Sequence, residues 1–261
     1  IISPICIMPL EIKEHNQDKL SVKNTANNLD QQLADMPDPL PNYSGFNMII
    51  AGSSGSGKTT LLYSLMLRKK VKGIRQSYRG IFDHVYIVSP TMGSKSMKKD
   101  EFSKLPEDQI YRELNMETIM DLDKRLERNR EDDEHSIIVF DDVGSQLRKS
   151  AQVEKKLVQL VQNRRHLFTS TIFIVQKFRD LPTGLRSNMS HFVTFRPKNM
   201  PERDAIMSEL FPFKRDDTDQ IFDYVFEKDD AKDRFSFLLV DLSLKKSSKY
   251  RYFKNFNQLE F

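Results

Sequence analysis

A chain of 261 residues with 41 Lys and Arg against 37 Asp and Glu carries a net charge of only +4, so charge alone does not mark it as a nucleic-acid binder. Hydrophobic residues make up 38% and charged residues 30%, the balance of a soluble domain with solvated helix faces; apolar runs such as Ile137–Phe140 and Thr171–Val175 are far too short to cross a bilayer. A lone Cys6 excludes an internal disulfide framework and a cysteine-based metal site, and none of the five histidines has zinc-ligand spacing.

Residues 1–42 are polar after a short apolar start and end in the breaker segment Met36-Pro-Asp-Pro-Leu-Pro41, which predicts an arm or lead-in outside the main sheet. No signal-peptide pattern opens the chain, which does not begin with Met; the cysteine usage is compatible with a reducing, intracellular compartment. Phe46–Ala51 reads as the first core strand. A glycine-rich loop follows, then a helix to about Arg68 with Leu61, Leu62, Leu65 and Met66 on one side. Val71–Gly80 is a basic connection containing Lys72, Arg75 and Arg79. Phe82–Ser89 is the second strand, closed by Pro90. Thr91–Lys104 is a polar loop bearing Lys95, Lys98 and Lys99, of the length that usually serves function.

Met116–Arg130 reads as a charged helix with a narrow apolar edge of Ile119, Leu122 and Leu126. Ser136–Asp142 is the third strand, Gln152–Arg165 a helix, Ser170–Gln176 the fourth strand and His191–Arg196 the fifth. Helices over Pro201–Leu210 and Asp217–Glu227 follow, then Phe235–Leu242 and Tyr250–Phe253 as a closing hairpin or edge strands. Buried strands alternating with helices imply an α/β fold: a mainly parallel sheet covered on both faces, filling residues 43–261 with its core over about 44–200.

In such a sheet, ligands sit at the carboxyl ends of the strands, and the chemistry-bearing residues fall there. Gly52, Ser53, Ser54, Gly55, Ser56, Gly57, Lys58, Thr59 and Thr60 match G-x-x-x-x-G-K-[ST] between a strand and a helix. The glycines let backbone N–H groups turn inward around a phosphate, Lys58 reaches the β- and γ-phosphates, and the Thr59 hydroxyl ligates Mg²⁺. This predicts binding of a nucleoside triphosphate such as ATP. After the third strand, Asp141 can complete the Mg²⁺ shell and Asp142 can orient or deprotonate the attacking water, although two aspartates also suit a turn or helix cap. Gln176 ends an otherwise apolar strand, where its amide can sense the γ-phosphate or water or simply meet solvent.

Arg164-Arg165-His166 closes a helix. Cations there offset the helix dipole, or one arginine serves as a finger in a neighbouring subunit's site; both readings stay open. Arg186 is a further candidate phosphate or inter-subunit contact. The tail Lys245–Phe256 interleaves basic and aromatic residues, which suits either an edge strand or a track for nucleic acid.

The order Gly52–Thr59, strand ending Asp141-Asp142, Arg165-His166, strand ending Gln176, and Leu181-Pro…Arg186-Ser-Asn188 resembles the viral genome-packaging ATPases. It is most similar to the poxvirus-type branch of the FtsK–HerA superfamily, and Tyr86-Ile-Val-Ser-Pro-Thr91 also fits. The resemblance covers roughly residues 44 to 200. It implies an additional-strand, RecA-like P-loop core in three layers, and a homo-oligomeric ring of five or six subunits pumping double-stranded DNA into a preformed capsid, with capsid proteins as neighbours. It further implies Lys58 and Thr59 on nucleotide and Mg²⁺, Asp141 on Mg²⁺, Gln176 as sensor and Arg165 as the trans finger. Many members of the wider superfamily carry Glu after the metal aspartate. This chain has Asp142, a departure that the viral branch tolerates.

Other P-loop functions share parts of this pattern. A signalling NTPase switch also uses an apolar strand ending Asp-Asp-Val, but typically ends the next strand in Arg, where this chain has Gln176. A small-molecule kinase needs an acceptor pocket and an arginine-bearing lid. A non-catalytic assembly protein would keep Lys58 and Thr59 and could dispense with Asp142 and Gln176.

Overall fold

The apolar runs form strands and the periodic segments form helices in a computed structural model, which describes residues 31–33, 36–68, 70, 76–91, 101–226, 235–243 and 251–260. In chain order the elements are β1 (Asn47–Ala51), α1 (Lys58–Leu67), β2 (His84–Val88), β3 (Ile110–Tyr111), α2 (Met116–Glu131), β4 (Ser136–Asp141), α3 (Gly144–Leu147) and α4 (Ala151–Asn163). They continue with β5 (Thr169–Val175), α5 (Thr183–Arg186), β6 (His191–Phe195), α6 (Met200–Leu210), α7 (Arg215–Phe226), β7 (Phe237–Asp241), β8 (Tyr252–Lys254) and β9 (Asn257–Gln258). One sheet runs in the order β3-β2-β4-β5-β1-β6-β7-β8-β9. The pairings from β3 through to β6 are parallel. Those from β6 to β9 are antiparallel.

Side chains alternate across a strand, so each central strand feeds two cores. Ile49, Ile138, Phe140, Phe173 and Leu238 face the layer of α2, α4, α6 and α7. Met48, Ile50, Ile137, Val139, Ile172 and Leu239 face the layer of α1. Polar residues start the helices: Asn115 and Ser150 accept backbone N–H groups at the heads of α2 and α4, and Asn199 does so for α6 with Pro201 in its first turn. Each such cap contributes about 1 kcal/mol.

Three features differ from the sequence reading. Met36 and Leu40 of the lead-in are buried in the α1-side core beside Tyr43, and the Tyr78 hydroxyl donates to the Pro41 carbonyl at 3.0 Å. The Leu40 N–H donates to the Pro37 carbonyl at 3.0 Å, a turn between the two buried side chains; residues 1–30, with Cys6, lie outside the described residues. Within the segment read as a polar loop, Phe102 is buried and packs its ring 4.9 Å from that of Tyr63, while Lys95, Lys98 and Lys99 lie outside the described residues, as do Lys72 and Arg75. The two-residue β3 is too short to show any period. The strand reading of the basic-aromatic tail holds: Tyr252 and Phe253 are buried in β8, which pairs antiparallel with β7 and is flanked by β9.

A candidate nucleotide site at the carboxyl edge of the sheet

β1 lies between β5 and β6, so the loop that follows it emerges at the middle of the sheet edge. The Gly52 N–H donates to the Val175 carbonyl at 3.2 Å, tying the start of the loop to β5. A Cβ at Gly52 would come within 2.6 Å of the Ser56 Oγ and 3.0 Å of the Phe195 Cβ. Gly57, at φ 110°, precedes α1 without any side-chain cap, leaving the first N–H groups of the helix turned toward the loop. The Ser56 hydroxyl is buried and has no hydrogen-bond partner.

Lys58 completes the loop. Its Nζ donates to the carbonyls of Gly52 at 2.5 Å and Ser53 at 2.9 Å, closing the cradle on itself. Partial burial lowers its pKa, opposed by the carboxylates of Asp141 and Asp142. A lysine held on neutral carbonyls in a partly dry site, with an orphaned hydroxyl beside it, fits a triphosphate: phosphate oxygens would replace those carbonyls as stronger partners.

β4 and β5 deliver the acidic and amide groups beside the loop. Asp141 is buried at the end of β4 and its Oδ2 accepts from the Ser89 hydroxyl at 3.1 Å. That contact ties Asp141 to the end of β2, the neighbouring strand. Asp142 ends the strand one residue earlier than the sequence suggests, because it adopts φ 58°, a left-handed conformation that Asp tolerates better than most residues. Its N–H still bonds the Ile174 carbonyl at 3.1 Å, and the kink brings its Oδ2 to 3.3 Å from the Gln176 Nε2, which donates to it. Thr59 stands half-buried in the first turn of α1. Among the described residues no group of three or more His, Cys, Asp or Glu could hold a metal. One hydroxyl and one carboxylate suit Mg²⁺, which keeps water and phosphate oxygens for the rest of its shell.

The arginines lie elsewhere. α4 carries the chain back across the sheet, so Arg164 and Arg165 sit near the amino-terminal end of β5, while the loop contacts Val175 at its other end. Seven strand residues separate the two edges by roughly 20 Å. Arg164 is buried, its Nε donating to the Gly45 carbonyl at 2.8 Å and its second nitrogen to Val161 at 2.8 Å. Arg165 is exposed and borders a polar cavity of about 510 Å³ with Tyr43, Asn188 and Ser243. Arg186 is engaged inside the chain: it binds Glu209 through Nε at 2.9 Å and the Leu181 carbonyl at 2.6 Å, and it lies 5.0 Å over the Phe178 ring. α6 supplies the Glu209 that holds its guanidinium, so the phosphate or inter-subunit role read for Arg186 would require that pair to open. Arg164→Ala is expected to destabilise the fold by about 2 kcal/mol, a fall of roughly 5 °C in Tm read by differential scanning calorimetry, through two lost charged hydrogen bonds. An equal effect from Arg165→Ala would contradict this division of labour.

Ser89 and Phe195 were not evident as site residues in the sequence, whereas Ser56 was read there as part of the phosphate loop. Ser89 had one signal, its place at the carboxyl end of the second strand, within Tyr86-Ile-Val-Ser-Pro-Thr91.

A mainly parallel sheet between helical layers, with G-x-x-x-x-G-K-T after its central strand and Asp-Asp after the second strand along, defines a P-loop nucleoside-triphosphatase fold. The family described as Poxvirus A32 protein matches residues 40–210, and the chain belongs to that family. It is 27% identical over 173 residues to the DNA packaging protein OPG160 of Variola virus, covering 66% of this chain and 61% of that protein, with the same figures for Vaccinia virus (strain Copenhagen). The Monkeypox virus protein is also 27% identical, with 55% of its length covered, so the chain spans 55–61% of these relatives. The fold is similar to that of B204, the DNA-packaging ATPase from Sulfolobus Turreted Icosahedral Virus, with a TM-score of 0.55 at 14% identity over 81% of this chain and 97% of that one. It is also similar to B204 from Sulfolobus turreted icosahedral virus 2 in complex with ATP-gammaS, with a TM-score of 0.51 at 12% identity over 80% and 96%.

Proposed function

We propose that this chain is the ATP-hydrolysing subunit of a motor that drives double-stranded viral DNA into a preformed capsid, working in the infected cell as a five- or six-membered ring at the packaging vertex. The observation that carries the reading is the meeting of Lys58, Thr59, Asp141, Asp142 and Gln176 on one sheet edge, in a chain whose relatives are named DNA packaging proteins. Thr59 and Asp141 would hold Mg²⁺, which would supply charge neutralisation of the phosphates. Lys58 leaves the Gly52 and Ser53 carbonyls for phosphate oxygens. Asp142 accepts a proton from the attacking water, and the Gln176 amide holds that carboxylate until a γ-phosphate or water offers it a better acceptor.

Two other readings are less well supported. A signalling switch is disfavoured by Gln176 standing where such proteins carry Arg. A small-molecule kinase is disfavoured because it has no need for a helix-end Arg165 directed at a neighbour. We expect duplex DNA to raise ATP turnover of the purified protein by about tenfold or more, the gain of placing one group well in a phosphoryl-transfer site. Turnover indifferent to DNA, together with phosphate transfer to a metabolite, would sink the motor reading.

A further inference from the structure

The order of the strands dictates how a triphosphate must lie across the loop. The metal- and water-handling groups Asp141, Asp142 and Gln176 all stand on the β4–β5 side of β1. The γ-phosphate therefore points that way, and the nucleoside must leave toward the opposite side, over β6 and β7.

That side is aromatic. Phe195 ends β6, and its ring lies 3.2 Å from where a Cβ at Gly57 would stand; the ring of Phe235, two residues before β7, lies 3.4 Å from the same point. Phe195 packs on Phe237 with ring centroids 5.7 Å apart, and Phe237 packs edge-on against Phe256 at 5.0 Å. Phe195 and Phe237 are buried at 3% and 8%, but Phe235 is 53% exposed. An exposed phenylalanine is common on protein surfaces; this one abuts the last glycine of a phosphate loop, on the side where the nucleoside has to emerge.

We propose that Phe235 is the stacking platform for the nucleotide base, with Phe195 as the wall that fixes the loop beneath it. This rests on the nucleotide reading of Gly52–Thr59. A ring face recognises any base by its π-surface, so the platform adds affinity for the nucleoside without reading its hydrogen-bonding edge. Phosphate binding is left to the loop.

Two ligands separate these contributions: ATP, which carries a base, and inorganic tripolyphosphate, which does not. Phe235→Ala is expected to weaken ATP binding about tenfold, the loss of one base–aromatic stack, with tripolyphosphate binding unchanged and ATP affinity restored by Phe235→Tyr. The chain contains no tryptophan, so Phe235→Trp places a single indole at the proposed contact. Its emission should change on adding ATP and stay constant with tripolyphosphate. Unchanged ATP affinity in Phe235→Ala, an equal loss for both ligands, or an indole indifferent to ATP would each overturn the platform while leaving the loop assignment intact. A wild-type chain that binds neither ligand would overturn the nucleotide reading itself, and the platform with it.

Discussion

Lys58→Ala is expected to lower ATP turnover at saturating Mg²⁺ by at least about a hundredfold, the scale set by removing a group aimed at transition-state charge. The cause is specific to this lysine. Its ammonium is held at the loop by two of the loop's own carbonyls and stands near two carboxylates, so it has only to exchange those carbonyls for the oxygens of incoming phosphate. Alanine removes the only side-chain cation of the loop, and the Gly52 and Ser53 carbonyls, at 2.5 and 2.9 Å from the ammonium in the wild type, then face the phosphates unshielded. Nucleotide affinity should fall with turnover. Asp142→Asn provides the contrast: turnover falls by about a hundredfold while nucleotide binding persists, because the lost group acts on water and not on phosphate. Steady-state hydrolysis alongside equilibrium binding of a nucleotide analogue separates the two. Wild-type turnover in Lys58→Ala would show that the loop is not the hydrolytic site.

The parts of this site that are legible in sequence are those whose geometry is local. Residues 46 to 66 pass from apolar run to glycine loop to helical period within twenty positions, and the physics that turns Gly52–Gly57 inward acts between neighbours. Asp141 was legible for a similar reason, since Ile137–Phe140 is apolar throughout and must emerge into solvent somewhere. The Ser89–Asp141 hydrogen bond joins residues 52 positions apart and depends on β2 lying beside β4, an order that no local pattern encodes. The left-handed turn at Asp142 was equally hidden. Phe235 carried no period of its own, and only the antiparallel return of β7 beside β6 brings it to the loop. Buried polar residues misled in a different way: Asn47 opens β1 fully buried, its Oδ1 accepting from the Thr171 hydroxyl at 3.0 Å, in a strand that composition reads as plain core. The two adjacent arginines did carry a signal. Leu157, Leu160, Val161 and Arg164 share one helical face at spacings of three and four, which places Arg164 toward the core and turns Arg165 outward.

That outward arginine gives the second large expected effect, and it concerns pairs of subunits. Arg165 lies roughly a strand's length, about 20 Å, from the loop of its own chain, so any catalytic duty it has must be toward another subunit's nucleotide. Arg165→Ala should then reduce turnover about a thousandfold with nucleotide binding and Tm retained, whereas Arg164→Ala loses stability first. Mixing tests the direction of the contribution. In a ring with a heterologous interface, an Arg165→Ala subunit keeps an intact loop and needs only a neighbour's arginine, which a Lys58→Ala subunit still carries. Two inactive proteins should therefore regain activity when combined, toward about a quarter of wild type if subunits mix at random in equal amounts and sites fire independently. Recovery in the mixture cannot arise from a residue acting in its own chain, because each parent lacks one half of its own site. If mixed rings form and no activity returns, Arg165 does not serve a neighbour, and the trans contact must come from a different cation on the face that the neighbouring subunit covers.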